Sequence, residues 1–187
     1  MKKTGLLTIT LAILMTVSAY SRTGGKLVSE KSHVKFYSHT AVEDIEANNY
    51  SAVSTINTET GDVVFSIPMQ GFEFEKSMMQ KHFNQEKFLD TKSHPKGKLV
   101  GKITNLDEID FTQDGTYKAI VEGDLSIKGS TKSIKEKGNI VIKGGNVSVQ
   151  SKFNVTLADY GISLTGKPAT SVAKEVEVTV HSEYAAD

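Results

Sequence analysis

TYKAIVEGDLSIKGSTKSIKEKGNIVIKGGNVSVQSKFNVTL, Thr116 to Leu157, is the stretch on which the fold turns. Tyr117, Ala119, Val121, Gly123, Leu125 and Ile127 stand at alternate positions. So do Ile134, Glu136, Gly138, Ile140 and Ile142, and then Val147, Val149, Ser151, Phe153, Val155 and Leu157. A period of two marks strands with one buried face. KGST at Lys128 to Thr131 and KGGN at Lys143 to Asn146 separate the runs with turn residues, so consecutive strands are antiparallel neighbours.

The same pattern extends outward from this core. Val34, Phe36 and Ser38 share one strand face, and Val63, Phe65, Ile67 and Met69 share another, with Pro68 marking an edge or bend. Val176, Val178 and Val180 close the series. Further turns fall at Thr58 to Asp62 and at Thr112 to Thr116. About eight strands are predicted, near 34–40, 51–57, 62–74, 97–104, 117–127, 131–143, 146–157 and 175–183. Strands this long leave exposed edges unless the sheet closes, so the expected fold is an all-β, eight-stranded antiparallel up-and-down barrel.

One segment breaks the alternation. SMMQKHFNQEKFLD, Ser77 to Asp90, carries a capping residue followed by Met78, Met79, His82, Phe83, Phe88 and Leu89 at a spacing that fits a helix or two helical turns. Pro95 stops it. A short helix inserted after the third strand of a small barrel has few places to go, and closing one open end is the expected one.

At the N-terminus, MKKTGLLTITLAILMTVSAYS has basic residues at Lys2 and Lys3, an apolar run from Leu6 to Val17 and small residues around Ala19, the layout of a cleaved signal peptide. The run is shorter than the ~20 apolar residues a spanning helix needs. Residues 1–19 are therefore set apart as signal peptide, leaving 20–187 as a single domain without a membrane anchor, periplasmic or secreted. The domain keeps 20 basic against 22 acidic residues and has no cysteine. No basic stripe with interleaved aromatics points to nucleic acid. The lysine-rich run Lys128 to Gly138 reads as a solvated hairpin.

Two stretches resemble the signatures of the YceI-like family. KHFNQEKFLDTKSHP, Lys81 to Pro95, is similar to one, in which a His and an apolar residue lead through a polar spacer to an aromatic, an Asp and a Pro. VEGDLSIKGSTKSI, Val121 to Ile134, resembles the other, a Gly-x-Leu-x-Ile-x-Gly strand and turn followed by Thr-Lys. SHVKFYSH near the start and DYGI at Asp159 to Ile162 are weaker matches. Gly97 departs from the pattern, standing where the strand after Pro95 usually carries an aliphatic residue, and NNYSA replaces the early Gly-x-Phe.

The resemblance implies a lipocalin-like barrel with a helix at one end and an elongated apolar tunnel holding a polyisoprenoid, an isoprenoid quinone or a similar long-chain amphiphile, without catalysis. Candidate lining and lid residues are Phe36, Phe65, Ile67, Met69, Phe72, Phe74, Met78, Met79, His82, Phe83, Phe88, Leu125, Ile127 and Phe153. Methionines suit such a role because their thioethers adapt to a flexible chain. No cofactor is expected beyond the bound isoprenoid-type lipid.

The histidines, at 33, 39, 82, 94 and 181, match no zinc spacing, and no metal is assigned. No nucleophile elbow, paired-carboxylate motif or phosphate loop supports an enzyme. The alternative to a carrier is a barrel packed solid, acting as a structural or protein-interaction module. Cavity volume discriminates the two. A homodimer is left open.

Overall fold

The computed structural model describes residues 25–164 and 168–185. The segment read as a signal peptide, 1–19, lies outside the described residues. Ten strands form one antiparallel sheet: β1 (Lys26–His39), β2 (Asp44–Asn49), β3 (Val53–Asn57), β4 (Asp62–Pro68), β5 (Phe72–Phe74), β6 (Lys96–Ile103), β7 (Gly115–Ile127), β8 (Ser130–Lys143), β9 (Asn146–Thr156) and β10 (Glu175–Tyr184). Helix α1 (Ser77–Asn84) lies between β5 and β6, and the single turn α2 (Pro168–Ser171) precedes β10. No described helix is long and apolar enough to cross a membrane.

Registers reduce the ten strands to eight. Val34 of β1 faces Asn49 of β2, and Lys26 faces Asn57 of β3, so both pairings are separated by eight residues on each side. β2 and β3 are therefore one strand, interrupted at 50–52 without loss of register. β4 and β5 form a second interrupted strand. Between the Val53–Ser66 and Asn49–Phe72 pairs the chain advances by four residues on one side and six on the other, so the 3-10 turn at Met69–Gly71 adds two. That turn is the bend signalled by Pro68. Each strand then pairs with its chain neighbour, and β10 pairs with β1, which closes an eight-stranded antiparallel barrel.

Two boundaries differ from the sequence expectation. The first strand begins at Lys26 rather than residue 34, and β2 was not foreseen. β2 presents Ile45, Ala47 and Asn49 inward and Asp44, Glu46 and Asn48 outward, so an alanine and an amide stand where the pattern requires large apolar residues.

Asn49 is fully buried and ties the two interruptions together. Its Nδ2 donates to the Pro68 carbonyl (2.7 Å), and its Oδ1 accepts from the Ser51 amide (2.9 Å). Asn49→Ala leaves both backbone groups without a partner and is expected to cost about 1–3 kcal/mol in urea denaturation. A loss below about 0.5 kcal/mol would show that the interruptions do not depend on this amide.

The interior holds two apolar clusters. Calling the α1 end the upper one, the upper cluster includes Val34, Phe72, Phe83, Leu125 and Val155. Ile56, Val63, Ile103, Ile140, Ile142 and Val147 belong to the lower cluster, which the loop carrying Ile109 and Phe111 caps. Between the two runs a belt of hydroxyls. Ser32 Oγ and Ser182 Oγ are 2.9 Å apart, Ser54 Oγ and Tyr184 OH are 2.6 Å apart, and the Ser54 amide donates to Ser29 Oγ (2.8 Å). At the same level Gly101 faces Gly123 across β6 and β7, where a Cβ on Gly123 would stand 2.4 Å from Gly101 Cα. The two backbones approach closer there than side chains permit.

Candidate functional site: an apolar cavity under a pinned lid

The upper half of the barrel contains a cavity of about 390 Å³, which opens between α1 and the inner faces of the strands. Inward-pointing residues of β1 (Val34, Phe36, Ser38) and β10 (Val176, Val178) form part of its wall, with Ile127, Val155 and Leu157 beside them. Met69 comes from the bend between β4 and β5, and Phe72 and Phe74 from β5 itself. Met79, His82, Phe83, Phe88 and Leu89 form the lid side, and Ile162, Ser171 and Val172 the opposing rim. Ser38, Glu43, His82 and Ser171 are the polar members of the lining.

The lid is built from QKHFNQEKFLDTKSHP, Gln80 to Pro95, and the turn before it. Its helix does not start with Ser77 as a cap. The N-cap is Lys76, in extended conformation and without a side-chain capping bond. The Lys76 ammonium instead reaches across the mouth to Glu43 Oε1 (2.8 Å), and that hydrogen bond holds its pKa above the usual lysine range. Met79 and Phe83, four residues apart, share the inner face. Met78 lies ~100° around the helix and is 63% exposed, so it faces solvent rather than the cavity.

Phe83, only 6% exposed, is the hub that fastens the lid. Its ring lies 5.1 to 6.2 Å from those of Phe74, Phe72, Phe36 and Phe88, within the range of favourable aromatic pairs. After the helix the chain turns back on itself. The Leu89 amide donates to the Phe83 carbonyl (3.2 Å), and Thr91 Oγ1 donates to Asn84 Oδ1 (2.8 Å). Asp90 takes a left-handed φ of 46°, and its carbonyl accepts from the amides of Ser93 and His94. The Pro95 carbonyl accepts from the Met69 amide (2.8 Å), which seats the return on the bend below.

The two signature stretches, far apart in the chain, meet in space. Lys128 and Gly129 both have positive φ, the two-residue turn that joins β7 and β8. A Cβ on Gly129 would stand 2.9 Å from His94 Cε1, so the end of the first stretch rests on the turn of the second. Gly97 also acquires a reason. A Cβ there would come within 3.1 Å of Met69 Sδ, so the thioether of a cavity-lining residue fills the place an aliphatic side chain would take.

Of the residues singled out from the sequence, Phe36, Met69, Phe72, Phe74, Met79, His82, Phe83, Phe88 and Ile127 line the cavity. Ile67, Leu125 and Phe153 pack in the upper cluster without lining it. Phe65 is half-buried on the inner register of β4, opposite Ser54 and Leu99. The alternation that marked Phe36 also carried Val34 and Ser38, and that of the last strand carried Val176 and Val178. Ile45 lies on the unforeseen β2, while Ser171 and Val172 had no signal in the sequence.

The histidines are dispersed. His33 stacks on Tyr50 and bonds Asn48, His39 pairs with Asp44, and His181 lies 3.4 Å from Glu183. His82 is at the mouth and His94 at the β7–β8 turn. The described residues contain no group of three His, Cys, Asp or Glu placed to hold a metal. The rim's polar groups brace the mouth: Ser38 Oγ accepts from the Ala173 amide (2.8 Å), and Glu43 holds Lys76. The arrangement suits enclosure of hydrocarbon, with polar atoms only where a head group would emerge.

The sequence matches the family model of the YceI-like domain over residues 26–184. Among curated proteins it finds no match. The barrel is similar to a polyisoprenoid binding domain from Saccharophagus degradans implicated in plant cell wall breakdown, with a TM-score of 0.74 at 14% identity, covering 88% of this chain and 100% of that one. It is also similar to BcnA of Burkholderia cenocepacia, with a TM-score of 0.66 at 19% identity over 81% and 95% of the two chains. Against the Campylobacter jejuni YCEI protein the TM-score is 0.56 at 16% identity over 98% and 97%. At these identities the structures share a fold, while the family model spans the whole barrel from β1 to β10: the chain belongs to the YceI-like family.

Proposed function

We propose that this protein is a carrier that sequesters the hydrocarbon of a long-chain amphiphile, a polyisoprenoid, an isoprenoid quinone or a similar lipid, without turning it over. On this reading residues 1–19 are removed as a signal peptide and the barrel works in the periplasm or outside the cell. The observation that carries the proposal is the lidded apolar cavity of about 390 Å³ with its polar groups at the rim. The volume lies within the ~300–1,000 Å³ of ordinary small-molecule sites. The polyisoprenoid binding domain named above adds support from within the fold.

The energetics are sufficient without covalent chemistry. At ~0.8 kcal/mol per buried methylene, a ten-carbon chain contributes about 8 kcal/mol before the cost of association. The cavity beneath the lid favours this reading over the solid-barrel alternative.

Native mass spectrometry of the 20–187 protein, purified gently from a periplasmic extract and followed by organic extraction, tests the proposal. A stoichiometric long-chain species is the expected result. Protein of bare mass that also takes up neither polyprenols nor quinones when they are offered would overturn it.

A further inference from the structure

We infer that the barrel has a floor and grips a set length of hydrocarbon, about ten to fourteen carbons, so that any remainder of a longer tail stays outside the lid. This rests on the carrier reading above and adds to it the part of the ligand that is recognised.

The floor shows as a common depth at which the lining stops on strand after strand. On β10, Val178 lines the cavity, while Val180, the next inward residue, packs in the upper cluster without lining it. Ile127 and Leu125 divide in the same way on β7, and Val155 and Phe153 on β9. On β1 the lining ends at Val34, which faces Val180, and the next inward residue is Ser32 of the hydroxyl belt. A layer centred on Leu125, Phe153 and Val180 therefore seals the cavity from below.

Beneath that layer, the Ser32–Ser182 and Ser54–Tyr184 pairs satisfy one another's hydroxyls. A chain pushed deeper would have to part buried hydrogen bonds and leave them without partners, because a hydrocarbon replaces neither donor nor acceptor. Below the belt lies the lower cluster of packed apolar side chains.

The depth follows from strand geometry. From Val34 to Ser38 the wall spans four residue steps, about 13 Å at the usual strand rise. That is the length of about ten extended methylenes at ordinary carbon–carbon bond lengths, and the space beneath the lid admits a few more.

The test uses straight-chain primary alcohols from octanol to octadecanol as probes, titrated calorimetrically into delipidated 20–187 protein. Affinity is expected to rise about fourfold per added methylene up to ten to fourteen carbons and then level off, with octadecanol no more than about threefold tighter than tetradecanol. Leu125→Ala removes three side-chain carbons from the floor and should move the break about three carbons longer. If that variant does not fold, Val180→Ala should move it by about two. A steady rise through octadecanol, or a break that neither floor variant moves, would overturn the floor while leaving the carrier reading intact. No binding at any chain length would overturn the carrier reading and the floor with it.

Discussion

Replacing Phe83 by alanine is expected to release the lid and empty the cavity while the barrel stays closed. Phe83 is buried against four other phenylalanines, and truncating a buried phenylalanine typically costs about 3–5 kcal/mol. The contacts it loses belong to the upper end. The strand ladder and the lower cluster contain no residue of α1. The cost should therefore appear as local opening rather than global unfolding.

Amide exchange at Leu89 and Thr91, which donate to carbonyls of Phe83 and Asn84, should accelerate by about 10²–10⁴-fold, the factor corresponding to that energy. Exchange in β7 and β8 should change little. Bound lipid should be lost in the same variant. Retained protection at Leu89 together with retained lipid would show that Phe83 does not fasten the lid. Phe83→Asp, which places a carboxylate among apolar rings, should go further in the same direction.

The second large effect is alkaline. Tyr184 is buried at the lower side of the hydroxyl belt, and burial pushes its pKa from the ordinary 10.0 up to about 12, outweighing the Ser54 and Ser182 hydroxyls that favour the phenolate. The native state thus holds a proton that the unfolded chain has released. Stability from this group is complete below pH 10 and is lost as pH rises from 10 to 12, by about 3 kcal/mol in all.

Urea midpoints measured from pH 8 to 12 should fall with that slope in the natural protein and more gently in Tyr184→Phe, since the remaining tyrosines and lysines titrate in both. At pH 8 the variant should be about 1–2 kcal/mol less stable, because Ser54 Oγ loses its partner. Parallel profiles for the two proteins across this range would show that Tyr184 ionises as an ordinary tyrosine.

How far these features can be read from the chain depends on the distance over which each is decided. Alternation from Tyr117 to Leu157, with glycine turns between, is local chemistry, and it determined the strands, their antiparallel pairing and the closed barrel. The departure from alternation after Ser77 likewise marked the lid helix, although Lys76 rather than Ser77 proved to be its N-cap. β2 escaped notice because Ala47 and Asn49 face inward there, and an amide is buried at Asn49 only because the Pro68 carbonyl and the Ser51 amide wait for it.

The cavity was decided elsewhere. Ile127 and Leu125 occupy the same face of the same strand, two residues apart, yet one borders empty space and the other helps to fill the barrel. Alternation reports which face of a strand turns away from water, a property of neighbouring residues. Whether that face meets another side chain or an open space depends on what distant strands bring into the interior, as the closure of β10 on β1 sets Val180 beside Val34 from far along the chain. The barrel could therefore be read from the sequence, while the depth of its cavity, the hydroxyl belt beneath it and the meeting of His94 with Gly129 were settled only when distant strands closed on one another.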